Sequence, residues 1–177
     1  MTTGRPVALV TGASSGIGQA SALALAGAGF EVVGTSRDTS RVAPLDGVTF
    51  LDLDVASDAS AAAAVRQVVE RFGRIDVLVN NAGVGLTGAA EETSVAQAQA
   101  VFDVNVFGVM RMVREVLPHM RARRRGRIVN LSSVQGFIPA PYMAVYGASK
   151  HAIEGYSESL DHEVREYGVR AVLVEPA

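Results

Sequence analysis

The stretch "PVALVTGASSGIG", Pro6 to Gly18, decides the fold. An apolar run breaks at Thr11-Gly12, passes through glycines at positions 12, 16 and 18, and opens into the helix-forming stretch "IGQASALALAGAG". The run is short, continuous and rich in Val and Leu, the pattern of a strand covered on both faces in a parallel sheet. Glycines at such a strand–helix junction permit a tight turn and let a pyrophosphate approach the backbone. The helix start behind them offers free N–H groups and the positive end of its dipole. The spacing G-x3-G-x-G differs from the commoner G-x-G-x-x-G, and the lysine of a P-loop is absent, which excludes P-loop chemistry. Placed after a first strand and opening a first helix, the loop reads as a nucleotide site rather than a plain glycine turn.

Outward from this junction, strand and helix patterns alternate. "FEVVGTSR" (30–37), "VTFLDLDV" (48–55), "IDVLVNNAG" (75–83), "GRIVNLSS" (126–133) and "VRAVLVEPA" (169–177) read as five further strands. Between them, "SDASAAAAVRQVVERFG" (57–73) is a helix with Ser57 or Asp58 at its start and Gly73 past its end. Ser94 to about Arg123 and Ala144 to Tyr167 predict two long helices. The expected fold is α/β: one domain over residues 1–177, a doubly wound parallel sheet of Rossmann type with six strands and helices on both faces.

Composition narrows the function classes. With 49% hydrophobic and 19% charged residues the 177-residue chain is neither disordered nor too short for a substantial core. Arg, Asp or Gly interrupts every apolar run well before the roughly 18 residues of a membrane span, and the N-terminus lacks a secretory pattern. Without cysteine there are no disulfides, thiolate nucleophiles or Cys-based zinc sites, and a cytoplasmic location is expected. A net charge of −2 gives no global attraction to nucleic acid. The one basic run, "RARRRGR" (121–127), reads as a solvated helix end, because no aromatic residues interleave with the arginines as stacking platforms. Neither a metal site nor a membrane or nucleic-acid partner is expected.

The second strand ends in "TSRD" (35–38), where an acid would accept hydrogen bonds from a ribose 2′-hydroxyl. Ser36 holds that place and Arg37 follows. A guanidinium matches a phosphate, which favours NADP(H), while Asp38 keeps NAD(H) open as the alternative.

The reactive candidates lie in "YGASK", Tyr146 to Lys150, which contains the only lysine of the chain. Four residues apart at the start of a helix, the two side chains share one face. An ammonium beside a phenol favours the phenolate, and a positioned tyrosine then exchanges a proton with a carbonyl or alcohol oxygen. Ser133, closing the fifth strand where ligands sit in open α/β sheets, can hydrogen-bond the same oxygen or simply cap a turn.

Taken in order, "TGASSGIG", "NNAG" (80–83), "DVNVFG" (103–108), "NLSS" (130–133) and "YGASK" make the whole chain resemble the short-chain dehydrogenase/reductase family. The resemblance implies a catalytic tetrad of Asn105, Ser133, Tyr146 and Lys150. Tyr146 would be the general acid/base and Ser133 would hold the substrate oxygen. Lys150 would act on the tyrosine and bind the nicotinamide ribose, and Asn105 would help hold a water linking Lys150 to solvent. Ser132 would be structural. For the cofactor it implies Gly12, Ser14, Ser15, Gly16, Ile17 and Gly18 at the pyrophosphate and Asp54 and Val55 by the adenine. Asn81, Ala82 and Gly83 would run along the nucleotide, with Arg37, Tyr146 and Lys150 completing the set.

The surroundings of Tyr146 resemble the hydroxysteroid and retinol dehydrogenase subgroup, implying an apolar alcohol or ketone as substrate. A 3-oxoacyl carrier-protein reductase or a non-catalytic cofactor-binding regulator are the alternatives. Pairing through the two long helices into a homodimer or homotetramer is implied as well. Two departures stand out: Pro176-Ala177 where the family commonly has Pro-Gly, and an expected substrate-loop region beyond Ala177 that this sequence does not contain.

Overall fold

A computed structural model describes residues 4–177. In the first strand, β1 (Val7–Val10), alternate side chains serve opposite faces of the sheet, as the two-residue period of a strand requires. Val7 and Leu9 enter one core, Ala8 and Val10 the other. All four are fully buried, which is why the run contains no polar residue.

The remaining strands are β2 (Glu31–Ser36), β3 (Val48–Asp52), β4 (Val77–Asn80), β5 (Gly126–Leu131) and β6 (Val169–Val174). They form one parallel sheet in the order β3-β2-β1-β4-β5-β6. This is the expected Rossmann sheet. Its order reverses between β1 and β4, and at that switch point the carboxyl ends of neighbouring strands diverge to leave a crevice.

Helix α1 (Gly16–Gly27) covers one face, packing Ala22, Leu25 and Ala26 onto β1, β2 and β4. The larger core lies on the opposite face. There α2 (Asp58–Phe72), α4 (Gly108–Ala122) and α5 (Ala144–Val164) bury Val65, Val68, Met112, Val116, Ile153 and Leu160 against the sheet. Ser57 caps α2 by accepting a hydrogen bond from Ser60 N, and Gly73 ends it at φ 73°.

The long helix expected over Ser94 to Arg123 is broken into three parts. Helix α3 (Val95–Phe102) begins with a reciprocal Ser94–Gln97 capping box, Asp103–Phe107 forms a π-helical turn, and α4 follows. The break has a tertiary cause. Asn105, 2% exposed, donates from Nδ2 to the Val84 carbonyl (2.9 Å) and accepts from Val84 N (2.8 Å). Widening one turn carries this carboxamide to a loop 21 residues earlier in the chain, and π turns of this kind concentrate at functional sites. The other long helix forms as expected, with its last residues, Arg165–Tyr167, tightened into a 3₁₀ turn.

Candidate active site

The β1–α1 loop is shaped by close contacts with the β4 end. Thr11 Oγ1 accepts from Asn81 N and Ala82 N, both at 3.0 Å, while Asn81 Nδ2 donates to the Thr11 and Gly12 carbonyls at 2.9 and 3.0 Å. Gly12 turns at φ 65°, and a Cβ there would stand 2.9 Å from Ala82 Cα. At Gly18 a Cβ would meet Asn81 Nδ2 and the Gly12 carbonyl, so this glycine seats α1 against "NNAG". Gly16, also at positive φ, faces open space. The Ser15 side chain makes no capping bond, and no acid occupies the first turn of α1. The leading N–H groups of α1 are thus left to a ligand, and an anion suits them.

A cleft of about 460 Å³ opens over this loop, lined by Gly12, Ser14, Ser15 and Ile17 on the glycine side. Arg37, Asp54 and Val55 line one flank, and Asn81, Ala82 and Gly83 the other. Ten of the residues expected at a nucleotide therefore border one cavity, while Gly16 and Gly18 are not among its lining residues. Leu53, Val84 and Val104 border it too; they were missed because an apolar residue on a cleft wall carries no motif. Asp54 accepts from Ala56 N at 3.0 Å, fixing its loop. Asp38 turns away: it accepts from Ser40 N and Ser40 Oγ (3.1 and 2.6 Å) and pairs with Arg41 at 3.0 Å. Its carboxylate is engaged in a local turn, whereas Arg37 remains exposed at the cleft wall.

A second cavity of about 240 Å³ continues the first, sharing Ile17, Asn81, Gly83 and Val84 and ending on Ser132, Tyr146 and Lys150. Lys150 is 7% exposed, donates from Nζ to the Leu131 carbonyl at 2.8 Å, and stands 5.7 Å from the centre of the Tyr146 ring. Burial pulls its pKa down to about 8, opposed by the negative charge of Glu154. Asn105 is joined to this pair through Ser149: Asn105 Nδ2 donates to Ser149 Oγ (3.1 Å), which donates to the Tyr146 carbonyl (2.7 Å). The Asn105 carboxamide thus ties the Val84 backbone to the Ser149 hydroxyl.

Ser133 begins a 3₁₀ turn (Val134–Gly136), and its Oγ accepts from Gln135 N at 3.2 Å. Its neighbour Ser132, 4% exposed, is the serine that borders the cavity, and its Oγ has no protein partner. Beneath the site a chain of buried amides, Asn80 to Asn130 and Asn130 to Ser157, both at 2.8 Å, locks β4, β5 and α5 together. Ser149 and Thr11 were not singled out in the sequence. The three-residue step from Tyr146 to Ser149 on one helix face was the available signal for the former.

Among the described residues no cluster of His, Asp and Glu could hold a metal ion, and no helix is long and apolar enough to cross a membrane. The arginines of "RARRRGR" are partly absorbed locally. Arg121 stacks 4.2 Å from the Tyr167 ring centre, Arg123 approaches Asp76 at 4.0 Å, and Arg124 donates to the Glu166 carbonyl.

The family model described as "short chain dehydrogenase" matches residues 6–177. The chain is 44% identical to a 3-ketodihydrosphingosine reductase of Bacteroides thetaiotaomicron over 170 residues, covering 96% of this chain and 62% of that protein. It is 43% identical to retinol dehydrogenase 8 of Bos taurus over 180 residues, covering 95% and 57%. The chain thus spans about three fifths of the length of these relatives. A short-chain dehydrogenase from Streptomyces avermitilis superposes with a TM-score of 0.95 at 40% identity, over 99% of this chain and 66% of that one. A metagenomic short-chain oxidoreductase in complex with NADP gives 0.88 at 36% identity, over 97% and 82%. A Brucella melitensis 3-ketoacyl-(acyl-carrier-protein) reductase complexed with NADH gives 0.92 at 33%, over 97% and 75%. With the glycine loop, the crevice at the switch point and the Tyr146–Lys150 wall in place, the chain belongs to the short-chain dehydrogenase family of oxidoreductases and carries its Rossmann nucleotide-binding fold.

Proposed function

We propose that this chain carries the cofactor site and proton-transfer group of an NADP(H)-dependent oxidoreductase. The reaction moves a hydride between nicotinamide and a secondary alcohol or ketone. The observation that carries this reading is the continuity of two cavities, one over the glycine loop and one ending on Tyr146 and Lys150. The nicotinamide is the source or acceptor of the hydride, and the protein supplies orientation and proton transfer. In the reducing direction the carbonyl carbon gains the hydride while its oxygen takes the Tyr146 hydroxyl proton; oxidation reverses both transfers. Lys150, anchored on the Leu131 carbonyl, sets a fixed positive charge behind the phenol. Ser133 is assigned to the substrate oxygen. Asn105 holds the Val84 loop to the Tyr146 helix, so the two cavities keep their alignment.

NADP(H) is favoured over NAD(H) because Arg37 lines the cleft while the Asp38 carboxylate is engaged by Ser40 and Arg41. An apolar substrate is supported by Phe137, Ile138 and Tyr142, which are 58%, 54% and 67% exposed between the Ser133 turn and α5. Pairing of subunits through the two long helices is part of the same reading, with Val95 and Phe107 exposed there. Light scattering on the full-length protein tests that pairing, and a monomer refutes it.

The function is tested by NADPH oxidation with the full-length protein against a panel of apolar ketones and aldehydes and a 3-oxoacyl carrier-protein thioester. Turnover of the apolar carbonyls supports the reading. Preference for the thioester selects the acyl-carrier alternative, and cofactor binding without any turnover selects a regulator.

A further inference from the structure

Two buried polar atoms without protein partners, Ser132 Oγ and Glu154 Oε1, lie against Gly136 in the turn after Ser133. Buried oxygens are rarely left unpaired, and when they are, a reason is owed. Gly136 shows how close the two are. A Cβ built there would lie 2.6 Å from Glu154 Oε1 and 2.7 Å from Ser132 Oγ, and its φ is not one that demands glycine. The glycine is required by space alone, and the space is filled by a carboxylate and a hydroxyl.

Glu154 stands one helical turn after Lys150 on α5, so the two side chains occupy the same face. Several elements pack around the ammonium. On α5 they are the Tyr146 phenol and Glu154. β5 and its extension contribute the Leu131 carbonyl and the Ser132 hydroxyl. The β1–α1 and β4 loops contribute Ile17, Asn81, Gly83, Val84 and Gly85, none of them ionisable, and β6 is followed by Pro176. The negative charge of Glu154 opposes the effect of burial on Lys150.

We propose that Glu154 is a positioning residue for the proton-transfer pair: its carboxylate, lodged between Gly136 and Ser132, is the fixed counter-charge of the Lys150 ammonium and the prop beneath the Ser133 turn. The inference rests on the reading of Tyr146 and Lys150 given above for its catalytic meaning, though the charge coupling stands without turnover. Burial alone moves Lys150 toward the neutral amine, and Glu154 opposes that shift. Without the counter-charge the lysine sheds its proton at a lower pH, and the positive charge behind Tyr146 is lost sooner.

Lysine labelled with ¹³C at Cε gives a side-chain signal from Lys150 whose position follows protonation, and Lys150 is the one lysine among these 177 residues. The full-length protein is labelled, and the signal is assigned by its disappearance in Lys150→Arg. In Glu154→Gln the titration midpoint is expected to fall by about one pH unit relative to the parent. Glu154→Asp, which keeps the charge, should lie between the two. Gly136→Ala, which pushes the Glu154 carboxylate aside while leaving the α5 sequence unchanged, should move the midpoint in the same direction, and it carries the test if Glu154→Gln does not fold. A midpoint unchanged in the folded variants overturns the proposal, since a merely structural Glu154 would lower stability or turnover and leave the titration in place. In the parent protein, absence of carbonyl turnover would refute the function proposed above and leave this titration to be judged separately.

Discussion

The Lys150 ammonium lies 5.7 Å from the centre of the Tyr146 ring and is anchored by a 2.8 Å hydrogen bond to the Leu131 carbonyl. Arginine cannot reproduce this arrangement: its planar fork is wider than an ammonium, and Lys150 is only 7% exposed. Lys150→Arg should therefore retain a positive charge and still lower kcat by about 100-fold. Retention of more than half of the parent kcat would mean that charge alone is needed.

Cofactor choice turns on Arg37 and Asp38. Arg37→Ala should lower kcat/KM for NADPH by about tenfold or more while leaving that for NADH nearly unchanged, because a charge-assisted phosphate contact is lost. Steady-state kinetics with both cofactors decides it; an unaltered ratio removes Arg37 from the 2′-phosphate site.

The adjacent serines should separate cleanly. Ser133→Ala is expected to reduce kcat by about 100-fold if its hydroxyl stabilises the substrate oxygen. Ser132→Ala, which removes a hydroxyl facing Glu154, should cost less than about tenfold. The reverse order would assign the substrate oxygen to Ser132, the serine that borders the cavity.

Stability depends on Asp161, 8% exposed, which accepts from Ala171 N (3.0 Å) and pairs with Arg170 (2.7 Å) and Arg165 (3.0 Å). These hydrogen bonds, led by that of Arg170, hold its pKa down at about 2. A carboxylate depressed in the folded state stabilises it fully above the unfolded value of about 3.9, and the contribution fades as pH falls toward 2. Asp161→Ala, leaving the Ala171 N–H unpaired, should cost about 2 kcal/mol in urea unfolding at pH 7. The difference from the parent should shrink steadily below pH 4; a constant difference would contradict the assignment.

Much of this site was legible in the chain because it is built on local rules. Alternating faces in "VALV", glycines at the strand–helix turn and the four-residue step from Tyr146 to Lys150 each follow from backbone geometry within a few residues. Long-range ties were not legible. The π turn at Asp103–Phe107 answers to Val84, and "DVNVF" reads as ordinary helix until that partner is in place. Asp38 was open as a ribose ligand because nothing in "TSRD" shows that its carboxylate folds back onto Ser40 and Arg41. The two serines part for the same reason: Ser133 Oγ is taken up by Gln135 N while Ser132 borders the cavity, and the serine pair alone does not show which does which.

The central claim is that Tyr146 moves the proton. Replacing it with phenylalanine removes one hydroxyl and leaves the ring that packs beside Lys150. In the full-length protein, NADPH-dependent reduction of the best carbonyl substrate should fall by about 1,000-fold or more in Tyr146→Phe, with the dissociation constant for NADPH within about threefold of the parent. Turnover within tenfold of the parent, at unchanged cofactor affinity, would contradict the account.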